Sequence, residues 1–205
     1  FKPKPIHFPD SLYSKMRMDK ELVDKSLRAY QYANTQLGQF IHKIRTSEFG
    51  KNTLIVITGD HNLHRGFNYD ESESFLAHSV PIIFYIPDKY KHSPPNTKIF
   101  SSHKDIFPSI YPLALSNATY FNTGQNLFTD LDHFSINDFT FAANRYGAVT
   151  LGDVTHFYKW TDSTKNHLIR SQKNEYLDIL SQKLKAYKAI MGYTIQKELS
   201  QKENE

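Results

Sequence analysis

Residues 53–61 read Thr-Leu-Ile-Val-Ile-Thr-Gly-Asp-His. Leu54, Ile55, Val56 and Ile57 show no polar alternation, the pattern of a strand covered on both faces of a sheet. In open α/β sheets, ligands sit beyond the carboxyl ends of such strands. Gly59 offers a turn there, which delivers Asp60 and His61 to the region where a site forms. A carboxylate oxygen and an imidazole nitrogen suit zinc or manganese better than calcium. On position alone, the pair reads equally well as a helix-capping Asp beside an ordinary surface His, since strand-end residues are only statistically functional.

A length of 205 residues fits one domain, or one domain with a small appendage. With 39% hydrophobic and 14% aromatic residues the chain can build a core. The net charge is +4, with Lys concentrated near the first residues and towards the C-terminal helix. Acidic residues are interspersed, so there is no nucleic-acid stripe; the charge is compatible with a mild attraction to anionic lipid headgroups. The absence of Cys removes disulfides, thiolate catalysis and Cys-ligated zinc. No stretch approaches the ~18 apolar residues of a membrane span, and no signal-peptide pattern occurs. The chain opens Phe1-Lys2-Pro3-Lys4-Pro5, without Met, and reads as the interior of a longer protein.

Prolines at positions 3, 5 and 9 make residues 1–14 extended or looped. Residues 20–46 read as a long helix, with Val23, Leu27, Tyr30, Leu37, Ile41 and Ile44 at three- and four-residue steps forming a core-facing stripe. Gly50 closes the connection to the strand at 53–58. Residues 62–79 have no period and read as a long loop. A second apolar strand covers 80–86, and a helix covers 105–118, kinked by Pro112. After residue 135 the texture changes. Segments 139–142, 148–151 and 154–160 read as an antiparallel meander with a turn at Arg145-Tyr146-Gly147. Residues 170–198 form a second long helix whose apolar side is Leu177, Leu180, Leu184, Tyr187, Met191 and Ile195. The expected division is 1–134, an αβ layered part, and 135–205, a small sheet plus helix.

Ten histidines need sorting. His64 lies three residues after His61 and shares its face only in a helix, which Asn62 and Gly66 disfavour; it reads first as a solvent-exposed loop residue. His78 precedes the second strand and either orients another ligand or sits at the strand start. His7 lies in a Pro-fixed loop, Ile-His-Phe-Pro-Asp. His103 marks a helix entry. His42, His92, His133, His156 and His167 have no neighbours in sequence that suggest chemistry.

Taken in order, these segments carry a resemblance. His7-Phe8-Pro9, the helix with Leu37-Gly38-Gln39-Phe40-Ile41, then 52–61, Ser79-Val80-Pro81-Ile82-Ile83-Phe84-Tyr85, His103-Lys104-Asp105-Ile106-Phe107-Pro108-Ser109 and Gly124-Gln125-Asn126-Leu127-Phe128 resemble the C-terminal half of a sulfatase-type catalytic domain. The likeness is greatest to the lipoteichoic acid synthase and phosphoethanolamine transferase branch of the alkaline phosphatase superfamily. It covers about residues 5–130; the region after 135 resembles the small antiparallel sheet and long helix that close these domains.

The resemblance implies an alkaline phosphatase-like α/β/α layered fold. It also implies a zinc or manganese ion held by an Asp-His pair, an acidic residue and a Thr or modified nucleophile. Asp60 and His61 match the pair. His7 matches the family's His that binds the phosphate- or sulfate-bearing substrate. His64 or His78 matches the further metal-site histidine of the phosphoethanolamine transferases, as second shell or second site. The implied activity is transfer or hydrolysis of a phosphoester, such as a lipid headgroup, or of a sulfate ester. It would occur at the extracytoplasmic face of a bacterial membrane, through an anchor upstream of these residues. The family's nucleophile and first acidic ligand lie upstream of anything like His7, and Thr53 and Thr58 do not match the nucleophile. The 205 residues alone are therefore expected to turn over little substrate. Gly-Asp-His-Asn stands where sulfatases proper usually carry Ser-Asp-His-Gly, which tilts towards the phosphotransferase branch. The alternative is a non-catalytic sulfatase-like module that binds lipid or a partner.

Overall fold

The computed structural model describes residues 2–5, 10–62, 66–91, 96–115, 118–129 and 132–202. They form two compact units, Phe1–His92 and Ser93–Glu205.

The first unit opens with a short helix α1 (Asp10–Tyr13) and the long helix α2 (Lys20–Thr46). The Asp19 carboxylate caps α2 by accepting the Leu22 N–H at 2.9 Å. Glu21 in the first turn and Lys43 and Arg45 in the last complement the helix dipole. At the far end Ser47 returns both its N–H, at 3.1 Å, and its hydroxyl, at 2.7 Å, to the Ile44 carbonyl. The helix follows the sequence pattern residue for residue, but the stripe does not follow into a core. Val23 is buried, whereas Tyr30 is 54% and Leu37 37% exposed. A 3-10 turn at Glu48–Asn52 follows, where a side chain at Gly50 would stand 2.5 Å from the Arg45 carbonyl oxygen.

Strand β1 (Ile55–Thr58) pairs antiparallel with β2 (Ile82–Tyr85), from Ile55↔Tyr85 to Thr58↔Ile82. The burial on both faces expected of Leu54, Ile55, Val56 and Ile57 is not found: all four are only half-buried, and Ile83 on β2 is 53% exposed. A two-stranded ribbon has too little cover to bury both faces of its strands. The segment between the strands is also more ordered than a loop. Met16 and Phe67 form a bridge. A 3-10 turn at Glu71–Glu73 leads into helix α3 (Ser74–Ala77). Asp70 and Glu73 make a capping box there. Glu73, almost fully buried, takes the Lys15 ammonium at 2.5 Å, and its carboxylate holds that ammonium above the usual lysine range.

In the second unit a 3-10 turn at His103–Asp105 runs into α4 (Ile106–Ala114). Pro112 sits in the last turn of α4, where little helix remains to kink. Five strands follow: β3 (Phe134–Asn137), β4 (Phe141–Asn144), β5 (Gly147–Thr150), β6 (His156–Trp160) and β7 (Leu168–Ser171). They form one antiparallel sheet in chain order. The turn falls at Arg145-Tyr146 as the sequence suggests, and a side chain at Gly147 would collide with the Tyr158 carbonyl oxygen at 2.0 Å. The long helix α5 (Glu175–Lys202) starts later than its pattern implied, because Arg170 and Ser171 are drawn into the β6 ladder opposite Tyr158 and Phe157. The Asn174 side chain caps α5 through the Leu177 N–H at 2.9 Å. Leu177, Leu180 and Leu184, one helical face, are fully buried against Ile136, Ala142 and Val149.

Packing links residues on either side of position 134. Ser102 Oγ accepts the Ile136 N–H at 2.9 Å, and Gln125 Oε1 accepts the Phe134 N–H at 3.2 Å. The centre of this stitching is Asp105, which is completely buried. Its carboxylate accepts the Ser102 N–H and the Gln125 N–H, both at 2.8 Å, and pairs with the buried Lys104 ammonium at 2.5 Å. Ser109, also fully buried, donates its hydroxyl to the Asp105 carbonyl at 2.6 Å and accepts the Leu127 N–H at 2.9 Å.

Asp105→Ala leaves a buried ammonium and two N–H groups without their acceptor. We expect a loss of about 3–5 kcal/mol in the second unit. Leu180→Ala, a cavity in the core, is expected to cost about 2–5 kcal/mol. The single tryptophan, Trp160, lies in β6 of this unit, so its fluorescence during denaturant unfolding reads both losses directly.

Candidate metal centre

Asp60 and His61 emerge at the carboxyl end of β1, as the sequence led us to expect. The turn is not forced by glycine. Gly59 has no positive φ, and a side-chain carbon there would meet Val80 at 3.5 Å, an ordinary contact. The Asp60 side chain is 87% and that of His61 68% exposed, so neither points into a dry interior. One Asp60 oxygen, Oδ1, accepts the His61 N–H at 2.9 Å. The other, Oδ2, stands 3.6 Å from His61 Nε2.

The His61 ring is oriented from its other nitrogen. Nδ1 lies 2.9 Å from the Asn62 carbonyl oxygen. A carbonyl only accepts, so Nδ1 carries the proton, and in the neutral ring Nε2 carries the lone pair. Metal-bound histidines have this arrangement, with one nitrogen tied to a carbonyl and the other on the ion. Two donors about 2.0–2.1 Å from a tetrahedral ion lie roughly 3.3–3.4 Å apart, close to the observed 3.6 Å. The pair therefore fits a zinc-like cation as two of its ligands. Among the described residues no group of three or more His, Asp or Glu side chains could hold a metal.

Asn62 is the residue that sequence reasoning underrated. Its side-chain NH2 donates to the Leu76 carbonyl in α3 at 2.9 Å and to the Tyr69 hydroxyl at 3.2 Å. The peptide whose carbonyl holds His61 is thus anchored to a helix. That helix is itself placed by Asp70, Glu73 and Lys15. The signal was present in the sequence as Asp70-x-x-Glu73, a capping-box spacing.

His78 caps the end of α3, exposed, with Nδ1 2.8 Å from the Ser74 carbonyl oxygen, so Nδ1 carries the proton there as well. The hydrogen bond from Asn62 ties the Asp60-His61 turn to the same helix. His7 and His64 lie outside the described residues. Elsewhere in the first unit residues 15–17 are joined to residues 66–68. Arg17 N–H bonds the Gly66 carbonyl at 3.0 Å, Asn68 N–H bonds the Lys15 carbonyl at 2.6 Å, and the Arg17 guanidinium bonds the Asn68 side chain at 2.6 Å. His103 begins the 3-10 turn of the second unit and is exposed.

These elements fall within a known family. Residues 4–116, more than half of the chain, match the Sulfatase family model, and the chain belongs to the sulfatase family. Among solved structures it is similar to a protein in the alkaline phosphatase superfamily from Vibrio parahaemolyticus, at 19% identity and a TM-score of 0.63. The match covers 82% of this chain and 42% of that one, so the chain spans about two fifths of its neighbour's length. No curated protein matches. The expected sulfatase-like, alkaline phosphatase-like α/β fold, with a C-terminal antiparallel sheet and long helix, is the fold this chain adopts.

Asn62→Gly removes the anchor while keeping the backbone carbonyl. The expected outcome is a His61 ring that loses its single tautomer, read as mixed Nδ1 and Nε2 protonation in 15N NMR of side-chain histidines. Retention of the wild-type tautomer in the variant would remove the positioning role from Asn62.

Proposed function

We propose that this chain is part of a metal-dependent phosphotransferase or hydrolase of phosphate or sulfate esters, of the lipoteichoic acid synthase or phosphoethanolamine transferase type. The observation that carries the reading is the Asp60 Oδ2 and His61 Nε2 pair, 3.6 Å apart in solvent at the end of β1, within a family of ester hydrolases and transferases. Asp60 and His61 would hold a zinc or manganese ion. When bound, such an ion lowers the pKa of a nucleophile and polarises an ester oxygen.

The chain's own residues then have separable tasks. Asp60 supplies negative charge and its second oxygen fixes the His61 backbone. The His61 ring presents Nε2 while its Nδ1–H donates to the Asn62 carbonyl. His7 would donate to the non-bridging oxygens of the phosphoryl or sulfuryl group, stabilising the charge spread over them during transfer. His64 and His78 remain candidates for a second shell or second site. The nucleophile and the acidic ligand belong to a segment upstream of His7. The substrate we favour is a lipid headgroup at the outer face of a bacterial membrane, reached through an anchor in that upstream segment. Among the described residues no helix is long and apolar enough to cross a membrane.

The test uses the protein that carries this chain together with its nucleophile, assayed for phosphodiester cleavage and headgroup transfer. Asp60→Ala and His61→Ala should each lower turnover by more than the roughly 10–100-fold typical of outer-shell partners, with loss of bound metal. His7→Ala should abolish turnover and keep the metal. Full activity in both the Asp60 and His61 variants sinks the metal assignment, and metal loss in His7→Ala makes His7 a ligand instead.

A further inference from the structure

Away from the metal centre, the second unit carries a cleft whose chemistry nothing above uses. It is bounded by the approach to β3, by the β4–β5 turn and by one face of α5, and encloses about 400 Å³ counting the space open to solvent at its mouth. Its wall contains Asp132, His133, Arg145, Tyr146, Tyr176 and Lys183. Arg145 lies 3.0 Å from the Asp132 carboxylate and donates to the Tyr146 hydroxyl at 2.7 Å. Tyr146 stacks on Tyr176 with centroids 4.0 Å apart and an interplanar angle of 14°, and the Arg145 guanidinium covers the Tyr146 ring at 4.9 Å. Guanidinium and two rings thus line one wall, with Tyr176 half exposed. Opposite in charge bookkeeping stands one carboxylate against two cations, because Lys183 has no carboxylate partner among the described residues; its ammonium rests 4.8 Å from the Phe134 ring centroid.

His133 completes the cleft. It is 7% exposed, and its Nε2 lies 3.1 Å from the Asn126 carbonyl oxygen. Nε2 therefore carries the proton, and in the neutral ring Nδ1 is an acceptor. That Nδ1 is buried and has no hydrogen-bond partner among the described residues. Buried acceptors are almost always satisfied, so an orphan one in a cleft wall calls for a donor from outside the chain. Lys183 and Tyr176, on the rim of the same cleft, are exposed.

We propose that this cleft binds a sugar ring bearing one anionic group. The ligand's carboxylate or phosphate pairs with Lys183 and Arg145. One of its hydroxyls donates to His133 Nδ1, and the apolar face of the ring lies on Tyr176. Carboxylate, cation and aromatic side chains together match the mixed polar and apolar surface of a sugar, and a bare inorganic anion would leave the tyrosines and the His133 acceptor unused. The inference does not rest on the Asp60-His61 reading, since no group is shared and no metal is needed.

The test is titration of the 205-residue chain with glucuronate and glucose 6-phosphate, against neutral glucose and inorganic phosphate, by calorimetry and by side-chain 15N NMR of His133. Glucuronate or glucose 6-phosphate should bind at least about tenfold more tightly than glucose and than phosphate, with a shift of the His133 Nδ1 resonance. Lys183→Ala, an exposed substitution that leaves the core intact, should weaken binding about tenfold. His133→Gln should erase the preference over inorganic phosphate, and a circular dichroism spectrum like wild type certifies the fold. Absence of binding by both anionic sugars, an unmoved His133 resonance, equal affinity for phosphate, or undiminished binding in Lys183→Ala overturns the proposal.

Discussion

The buried carboxylate of Asp105 is the constraint around which the second unit is arranged. A charge that far from water persists only when its lone pairs are taken up. Here two backbone N–H groups and the Lys104 ammonium take them. Each of those donors comes from a segment with other obligations. Ser102 also accepts from β3, Gln125 also accepts from Phe134, and Lys104 lies 4.8 Å from the Phe134 ring centroid. One ionised group thus sets the path of the chain entering α4, the return at 124–127 and the edge of the sheet. Hydrophobic burial of Leu177, Leu180 and Leu184 against Ile136, Ala142 and Val149 supplies cohesion between α5 and that sheet. It is the polar cluster that specifies register.

A similar division holds in the first unit. The Lys15–Glu73 pair and the Asp70 capping box place α3, and α3 receives the Asn62 side chain. The imidazole of His61 is aimed by a carbonyl three steps removed from those charges. Site geometry here is inherited from loop packing, since β1 and β2 alone form a ribbon that holds little in place.

How much of this the sequence disclosed depends on the period of each signal. The 27-residue α2 and the Leu177-Leu180-Leu184 face of α5 were legible because helical spacing repeats over many turns. The Asp60-His61 position was legible from the apolar run before it. Strands β3 and β7, four residues each, were not: short strands with mixed residues declare themselves only through their partners. Ser171 and Arg170 look helical until β6 competes for their backbone. The burial of β1 was misjudged because apolarity records what a strand tolerates, not how many neighbours it has. Asn62 carried no period at all; its role appears only when the Leu76 carbonyl is seen beside it.

The five strands of the second unit follow one another in space in the order of the chain. Every ladder therefore closes a hairpin between sequence neighbours, and no strand waits for a distant partner to arrive. Loop-closure entropy grows with the span that must be bridged, and topologies built from near neighbours fold faster than those that are not. The meander can zip from any of its turns. Synthesis from the N-terminus delivers each strand just before its partner, so the emergence of the chain and the pairing of its sheet run in the same direction.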